Sequence, residues 1–152
     1  MNTYRLHPES IRSLFNNIAP TYDLANHLLS LGRDFYWRKM AVQEMNGLKG
    51  WILDIATGTG DVAIKIIRQN GRYRKVFGID FSEPMIKKAQ QKVFREGLSH
   101  RVALGLGDAL FLPFRDNTFS ASTIAFGLRN IVKKERALLE MARVIKKGGK
   151  VI

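Results

Sequence analysis

At 152 residues, with 45% hydrophobic and 25% charged residues, the chain has the size and composition of one soluble globular domain with a real core. No apolar run approaches the roughly 18 residues of a membrane span, "MNTYRLHPES" lacks the apolar stretch of a signal peptide, and the absence of cysteine excludes disulfides and thiolate metal sites, a pattern compatible with the cytoplasm. The net charge of +12 is spread over every third of the chain, and such a surface can serve nucleic acid, anionic lipid head groups or no partner; without an arginine-rich block or an RNA-binding signature, nucleic acid is disfavoured.

Residues 1–50 read as helices. Ile11, Leu14, Phe15 and Ile18 recur at the spacing of one amphipathic face, and Pro20 marks the end of that helix. A second helical pattern around Trp37, Met40, Ala41 and Met45 runs into a loop at residues 47–50. From Trp51 the texture changes to short apolar runs alternating with amphipathic ones. "WILDIA" is the first strand, residues 61–69 a helix with Val62, Ala63, Ile66 and Ile67 inward, and "KVFGID" the second strand. Residues 83–96 form a helix with Met85, Ile86, Ala89 and Val93 inward. "RVALGLGD" and "SASTIAF" are the third and fourth strands. Residues 132–146 form a helix with Ala137, Leu138, Met141 and Ile145 on one face, after which Gly148-Gly149 turn into "KVI".

Strand–helix alternation at this rhythm predicts an α/β fold: a Rossmann-like, doubly wound, mainly parallel sheet of about five strands, covered by helices on both faces. The division is an N-terminal helical region, residues 1–50, and a nucleotide-binding core, residues 51–152. Lys150-Val151-Ile152 is the opening of a strand, so the expectation is either a fragment of a longer chain or a sheet edge covered by another chain. An exposed edge of that kind favours a homodimer.

In open α/β sheets, ligands bind outside the carboxyl ends of the strands. Those ends carry acids here: Asp54 in strand one, Asp61 after its glycine turn, Asp80 at the end of strand two and Asp108 at the end of strand three. For any one of them alone, the reading as a strand-end or capping residue is the favoured one. Four on one rim of a basic protein point to a ligand. Gly58 and Gly60 let the backbone turn tightly and approach that ligand. Asp80, 20 residues past Gly60, sits where an acid accepts hydrogen bonds from ribose hydroxyls, and Asp108 where one accepts from an adenine amino group. The short pattern Gly58-x-Gly60-x-x-Ala63 fits a dinucleotide as well as S-adenosylmethionine. A dinucleotide, however, places its pyrophosphate over the turn. Carboxylates at Asp54 and Asp61 would oppose it by roughly 1 to 4 kcal/mol per close pair. They would attract the ammonium and sulfonium of S-adenosylmethionine. With no Gly-Lys-Ser/Thr, a P-loop is excluded.

"LFNNIAPTYDLANHLLSLGRDFYWR", "LDIATGTGD", "GIDFSEPMI", "LPFRDNTFS" and "AFGLRN" occur in an order and spacing that resembles the ubiquinone/menaquinone biosynthesis C-methyltransferases, from about Ile11 to Ile152. "DIATGTGD" marks only the superfamily of class I S-adenosylmethionine-dependent enzymes; "AFGLRN" with "YDLAN" upstream is far more specific. The resemblance implies S-adenosyl-L-methionine as cofactor, with Thr59 between the glycines, Asp80 at the ribose and the pair Asp108-Ala109 at the adenine. Many members of that family have Asn-Ala at this pair, and a serine where this chain has Ala125. It also implies a longer, seven-stranded sheet, so the chain reads as a C-terminally truncated member.

The implied reaction is methylation of a ring carbon of a demethylquinol. Making that carbon nucleophilic requires loss of a ring hydroxyl proton, and the oxyanion formed needs a partner. Arg129 and Asn130 are the candidates, against the plainer reading of Asn130 as a helix cap. Tyr22 and Asp23 lie in the region that would close over the cofactor, or are a packed tyrosine and a solvated aspartate. His27 is the histidine nearest these motifs but is favoured as structural, and His7 and His100 carry no signal. No metal-ligand constellation is present. A polyprenyl quinol is a membrane lipid, so an enzyme of this kind meets the inner face of the membrane peripherally, for which the basic surface is suited; the helix at residues 11–18 could serve there too, but core packing is its favoured reading. The rival readings are methylation of RNA or another small molecule, and an inactive domain that binds S-adenosylmethionine.

Overall fold

The computed structural model describes residues 33–69 and 73–152. The amphipathic pattern at residues 11–18, together with Tyr22, Asp23 and His27, lies outside the described residues, so only the last helix of the N-terminal region can be compared. In chain order the elements are α1 (Arg33–Gln43), β1 (Gly50–Ile55), α2 (Asp61–Gln69), β2 (Tyr73–Asp80), α3 (Glu83–Arg95), β3 (Val102–Leu106), β4 (Phe119–Thr123), a 3₁₀ turn (Leu128–Asn130), α4 (Lys134–Val144) and β5 (Ile145–Val151).

The five strands form one sheet in the order β3-β2-β1-β4-β5, and every neighbouring pair is parallel. The order reverses between β1 and β4, which makes the carboxyl ends of these two strands the switch point at which such sheets hold ligands. Alternation along the strands builds two apolar layers. Ile52, Val76, Val102 and Ala121 meet Val42 of α1, Met45 just beyond it, the buried stripe of α2 and Val93 of α3 on one face. Leu53, Ile55, Ile79 and Phe119 meet Met141 and Val144 of α4 on the other. The doubly wound architecture is therefore the one expected, and α2 and β2 end where the sequence pattern ends them.

Several local expectations change. The inward face of α1 is not the one drawn through Trp37 and Met40, which are 58% and 40% exposed; it runs through Arg38 and Val42 to Met45. A buried arginine within the stripe hides the helical period from an apolar count. β3 stops at Leu106, so Asp108 lies two residues beyond the strand, in an isolated bridge with Phe111. β4 begins at Phe119 and ends at Thr123, ahead of the "IAF" assigned to it. The last helix is shorter than 132–146, and Gly148-Gly149 lie inside β5. There the register jumps from Phe119↔Ile145 to Ala121↔Lys150, so residues 146–149 loop out before the strand resumes.

Candidate functional site: a divided cleft at the ends of β1, β2 and β4

β1 leaves the sheet through Ala56 and turns over Thr57–Gly60 into α2. Thr57 N donates to Ile79 O of β2 at 2.9 Å, and Gly60 N donates to Thr57 O at 2.9 Å. Gly58 and Gly60 have φ of 56° and 86°, a region open to glycine at little cost. A Cβ on Gly60 would also stand 3.3 Å from Ala89 Cβ, so that residue lets α3 pack against the turn. Two non-glycine residues nearby, Ala56 and Phe126, are left-handed as well, at φ 51° and 64°. Each costs roughly 1–2 kcal/mol, and strain of this kind gathers at functional sites.

A cleft of about 190 Å³ opens beside the turn. Gly58, Asp80, Asp108, Ala109 and Asn130 line it, and its wall is largely apolar, from Ile55, Phe81, Met85, Leu110, Ile131 and Val132. A smaller recess of about 30 Å³ lies on the other side, between Arg38, Asp54, Thr57, Thr59 and Phe126. Ala56, Gly58 and Ala125 belong to both walls. The turn thus divides one site into an apolar chamber and a charged one.

Asp80 is anchored by the backbone: Oδ2 accepts from Gly58 N and Oδ1 from Ser82 N, both at 2.9 Å. Each carboxylate oxygen has two acceptor sites, so this anchoring leaves capacity for a pair of ligand hydroxyls. Burial raises its pKa against the lowering effect of the Ser82, Gly58 and Phe81 amides. Asp54 is 1% exposed and accepts from Thr57 Oγ1 at 2.6 Å. Burial first, and the nearby charge of Asp80 to a lesser degree, push its pKa up to about 7, with Thr57 and the Arg38 charge pulling the other way. Asp108 accepts from Leu110 N through Oδ1 at 2.8 Å, an Asx-type turn that shapes the wall around Ala109.

Asp61 corrects the rim of four acids. It lines neither chamber; Arg38 Nη1 reaches its Oδ2 at 2.6 Å from α1, and Lys92 Nζ its Oδ1 at 2.7 Å from α3. With two cations on that carboxylate, the electrostatic case against a pyrophosphate over the turn rests on Asp54. Thr59 is buried, its Oγ1 accepts from Lys92 Nζ at 3.2 Å, and it lines the smaller recess. Gly60 lines neither chamber. Of the candidate pair on the 3₁₀ turn, Asn130 lines the cleft, whereas Arg129 is exposed and outside its lining.

Arg38, Thr57 and Phe126 were not singled out from the sequence. Arg38 sat among apolar residues whose spacing suggested a different face, and its guanidinium lies 5.8 Å over the Phe126 ring. A Cβ on Gly127 would fall 2.4 Å from Ala56 Cβ, which explains the glycine in "AFGLRN": that segment lies directly against the exit of β1. The loop carrying Asp108 and Ala109 is clamped from α4. Glu140 Oε2 accepts from Leu112 N at 2.9 Å, while Arg143 donates to the carbonyls of Leu112 and Phe114 and to Asp116. Arg143 also donates to both oxygens of Glu140, a bond that, ahead of opposing burial, holds the glutamate below its ordinary pKa.

The model of the ubiE/COQ5 methyltransferase family matches residues 3–152. The ubiquinone/menaquinone biosynthesis C-methyltransferase UbiE of Geobacter sp. (strain M21) is 47% identical over 146 residues, covering 95% of this chain and 62% of that protein. The demethylmenaquinone methyltransferase of Lactiplantibacillus plantarum is 42% identical over 144 residues, covering 94% and 61%. The chain thus spans about three-fifths of the length of these curated relatives. Among solved structures, a SAM dependent methyltransferase from Aquifex aeolicus superposes with a TM-score of 0.62 at 28% identity, over 72% of this chain and 58% of that one. A putative S-adenosyl-L-methionine-dependent methyltransferase from Methanococcus maripaludis gives 0.72 at 20% identity, over 99% and 64%, a likeness of fold alone.

Proposed function

This chain belongs to the ubiE/COQ5 methyltransferase family, and we propose that it forms the S-adenosylmethionine-binding part of a C-methyltransferase acting on a demethylquinol in menaquinone or ubiquinone biosynthesis. The observation that carries the reading is the anchored carboxylate of Asp80 at the mouth of an apolar cleft at the switch point of the sheet.

The residues present fit this cofactor. Asp80 would hold the ribose hydroxyls, Asp108 and Ala109 the edge of the adenine, and Ile55, Met85 and Val132 its faces. Gly58, Thr59 and Asp54 would hold the amino-acid end, with Gly60 setting the turn beneath it. Bound S-adenosylmethionine supplies a methyl group on a cationic sulfur, electrophilic toward an electron-rich ring carbon. The protein's own part is alignment and exclusion of water. Asn130, on the cleft wall, would donate its amide N–H to a quinol oxygen, and Arg129, exposed and outside that wall, would add a positive charge nearby.

A lipid quinol has to be taken from a bilayer. None of the helices among the described residues is long and apolar enough to cross one, and the net charge of +12 suits a peripheral encounter with an anionic inner-leaflet surface. In this reading the protein is cytoplasmic and meets the membrane only peripherally. The test is transfer of a labelled methyl group. Incorporation into a demethylquinol in vesicles, and none into RNA, supports the proposal; methylation of RNA alone would overturn its substrate class.

A further inference from the structure

Neither chamber accounts for the apolar side chains that stand in water just outside the larger one. Phe111, Val132 and Leu139 are 69%, 55% and 65% exposed. Phe111 follows Leu110, which lines the cleft together with Val132, so the apolar wall of the chamber continues outward over its rim. Leu139 stands three residues beyond Arg136 and four before Arg143, and both arginines donate to carbonyls of the loop that carries Phe111. Residues at that spacing share one stripe of a helix, so Leu139 lies on the side of α4 that faces this loop. Arg136 fixes the rim: its Nε donates to Leu110 O at 3.3 Å, its Nη2 lies 3.5 Å from Glu140 Oε1, and its guanidinium lies 5.6 Å over the Phe111 ring. Cations border the same rim. From Leu128 to Leu139 the chain carries Arg129, Lys133, Lys134 and Arg136 against a single acid, Glu135, and all five are exposed. On the facing loop, Asp108 is turned back onto Leu110 N and Asp116 is paired with Arg143.

We propose that this rim is a membrane-docking surface, with Phe111 and Leu139 entering the head-group layer of an anionic bilayer and Lys133 and Lys134 meeting its phosphates. The assignment deepens the reading of a lipid-quinol substrate and rests on it. Exposed apolar side chains bordered by ammonium groups match acyl chains beneath anionic head groups. A nucleic acid would engage the lysines and leave the leucine without a partner. Docked in this way, the larger chamber opens onto the lipid. A quinol head group then passes from the bilayer toward Asn130 along Leu110 and Val132 without crossing water. The basic residues at the other end of α4, Lys146 and Lys147, are exposed where the chain loops out of β5, away from this rim.

The test is flotation of the intact protein with vesicles of phosphatidylglycerol and phosphatidylcholine in equal parts, and of phosphatidylcholine alone, without S-adenosylmethionine or quinol. The wild type is expected to partition onto the anionic vesicles at least about tenfold more strongly, and less so as salt is raised. Lys133→Gln with Lys134→Gln should weaken that partitioning about tenfold, whereas Lys146→Gln with Lys147→Gln, an equal loss of charge, should weaken it less than about twofold. Phe111→Ser with Leu139→Ser should weaken it about tenfold as well. Because the chain has no cysteine, Phe111→Cys and Lys147→Cys can each carry a single environment-sensitive dye. Emission should shift to the blue on anionic vesicles at the first position and stay unchanged at the second. A wild type with no preference for anionic vesicles would overturn the inference, even where a variant fails to fold. A dye that shifts at position 147 and not at 111 would do the same. Self-association abolished by Phe111→Ser with Leu139→Ser, with vesicle binding untouched, would give this face to a second copy instead. Methyl transfer to a short-chain demethylquinol in solution tells the two readings apart. Transfer by a protein that ignores vesicles removes only the docking surface; docking at this rim without any transfer removes only the quinol reading.

Discussion

The two chambers share Ala56, Gly58 and Ala125 yet are built on opposite principles. The larger is an apolar slot in which one anchored carboxylate, Asp80, supplies direction. The smaller has charged walls, and each charge is set by an element distant in sequence. The difference shows how a single strand–turn–helix unit binds a ligand with two unlike ends. Shape and one pair of hydrogen bonds suit a nucleoside; opposed charges suit a zwitterion.

The comparison is broken most severely at Asp80. Asp80→Ala removes the hydroxyl acceptor and releases the Gly58 and Ser82 amides. Affinity for S-adenosylmethionine should fall roughly 100-fold or more, about 2.7 kcal/mol, in a titration, while circular dichroism reports an intact fold. Next comes the clamp behind the apolar chamber. Arg143→Gln leaves Glu140 buried beside Leu112 N without its main cation. Stability to urea should drop by about 2 kcal/mol, and affinity for 5′-methylthioadenosine should fall with it as the Asp108–Ala109 loop loosens. Because the Glu140 pKa is depressed in the folded protein, the wild type loses this contribution as pH falls through the folded value, and the variant should show a flatter acid limb.

The smallest effect separates the chambers by pH. The folded-state pKa of Asp54 is raised to about 7. Its protonated form therefore favours folding below the unfolded value near 4, and that contribution is lost as pH rises toward 7. Asp54→Asn should gain about 1 kcal/mol at pH 8 and almost nothing at pH 4, after the burial cost of the amide itself. The same variant should bind S-adenosylmethionine more weakly and 5′-methylthioadenosine as before. Thermal melts at both pH values check the first part, and titrations the second.

How much of this was legible in the sequence depends on distance along the chain. The strand–turn–helix at residues 51–69 and the acid 20 residues beyond Gly60 are local patterns, and α2, β2 and Asp80 lie where those patterns put them. Asp61 departs from its expected place for the same reason. Its place after the glycines resembles a rim position, whereas its partners Arg38 and Lys92 lie 23 and 31 residues away on other helices. The α4 clamp spans 27 to 31 residues between Arg143 and the loop, and no periodicity in either segment announces it. Arg38 was hidden doubly, as a charge in a buried stripe and as one half of a recess whose other half is a strand residue. Asn130 and Arg129 came from a motif as a pair; only the geometry separates the one on the cleft wall from the one outside it.

The most direct test of the whole account is a titration of the wild-type protein with S-adenosylmethionine and, separately, with NAD. The turn alone fits both ligands, while family membership and a pair of chambers suited to a nucleoside and an amino acid favour the first. The account predicts saturable one-site binding of S-adenosylmethionine, with NAD bound at least about 100-fold more weakly. Tight binding of NAD without binding of S-adenosylmethionine would contradict it.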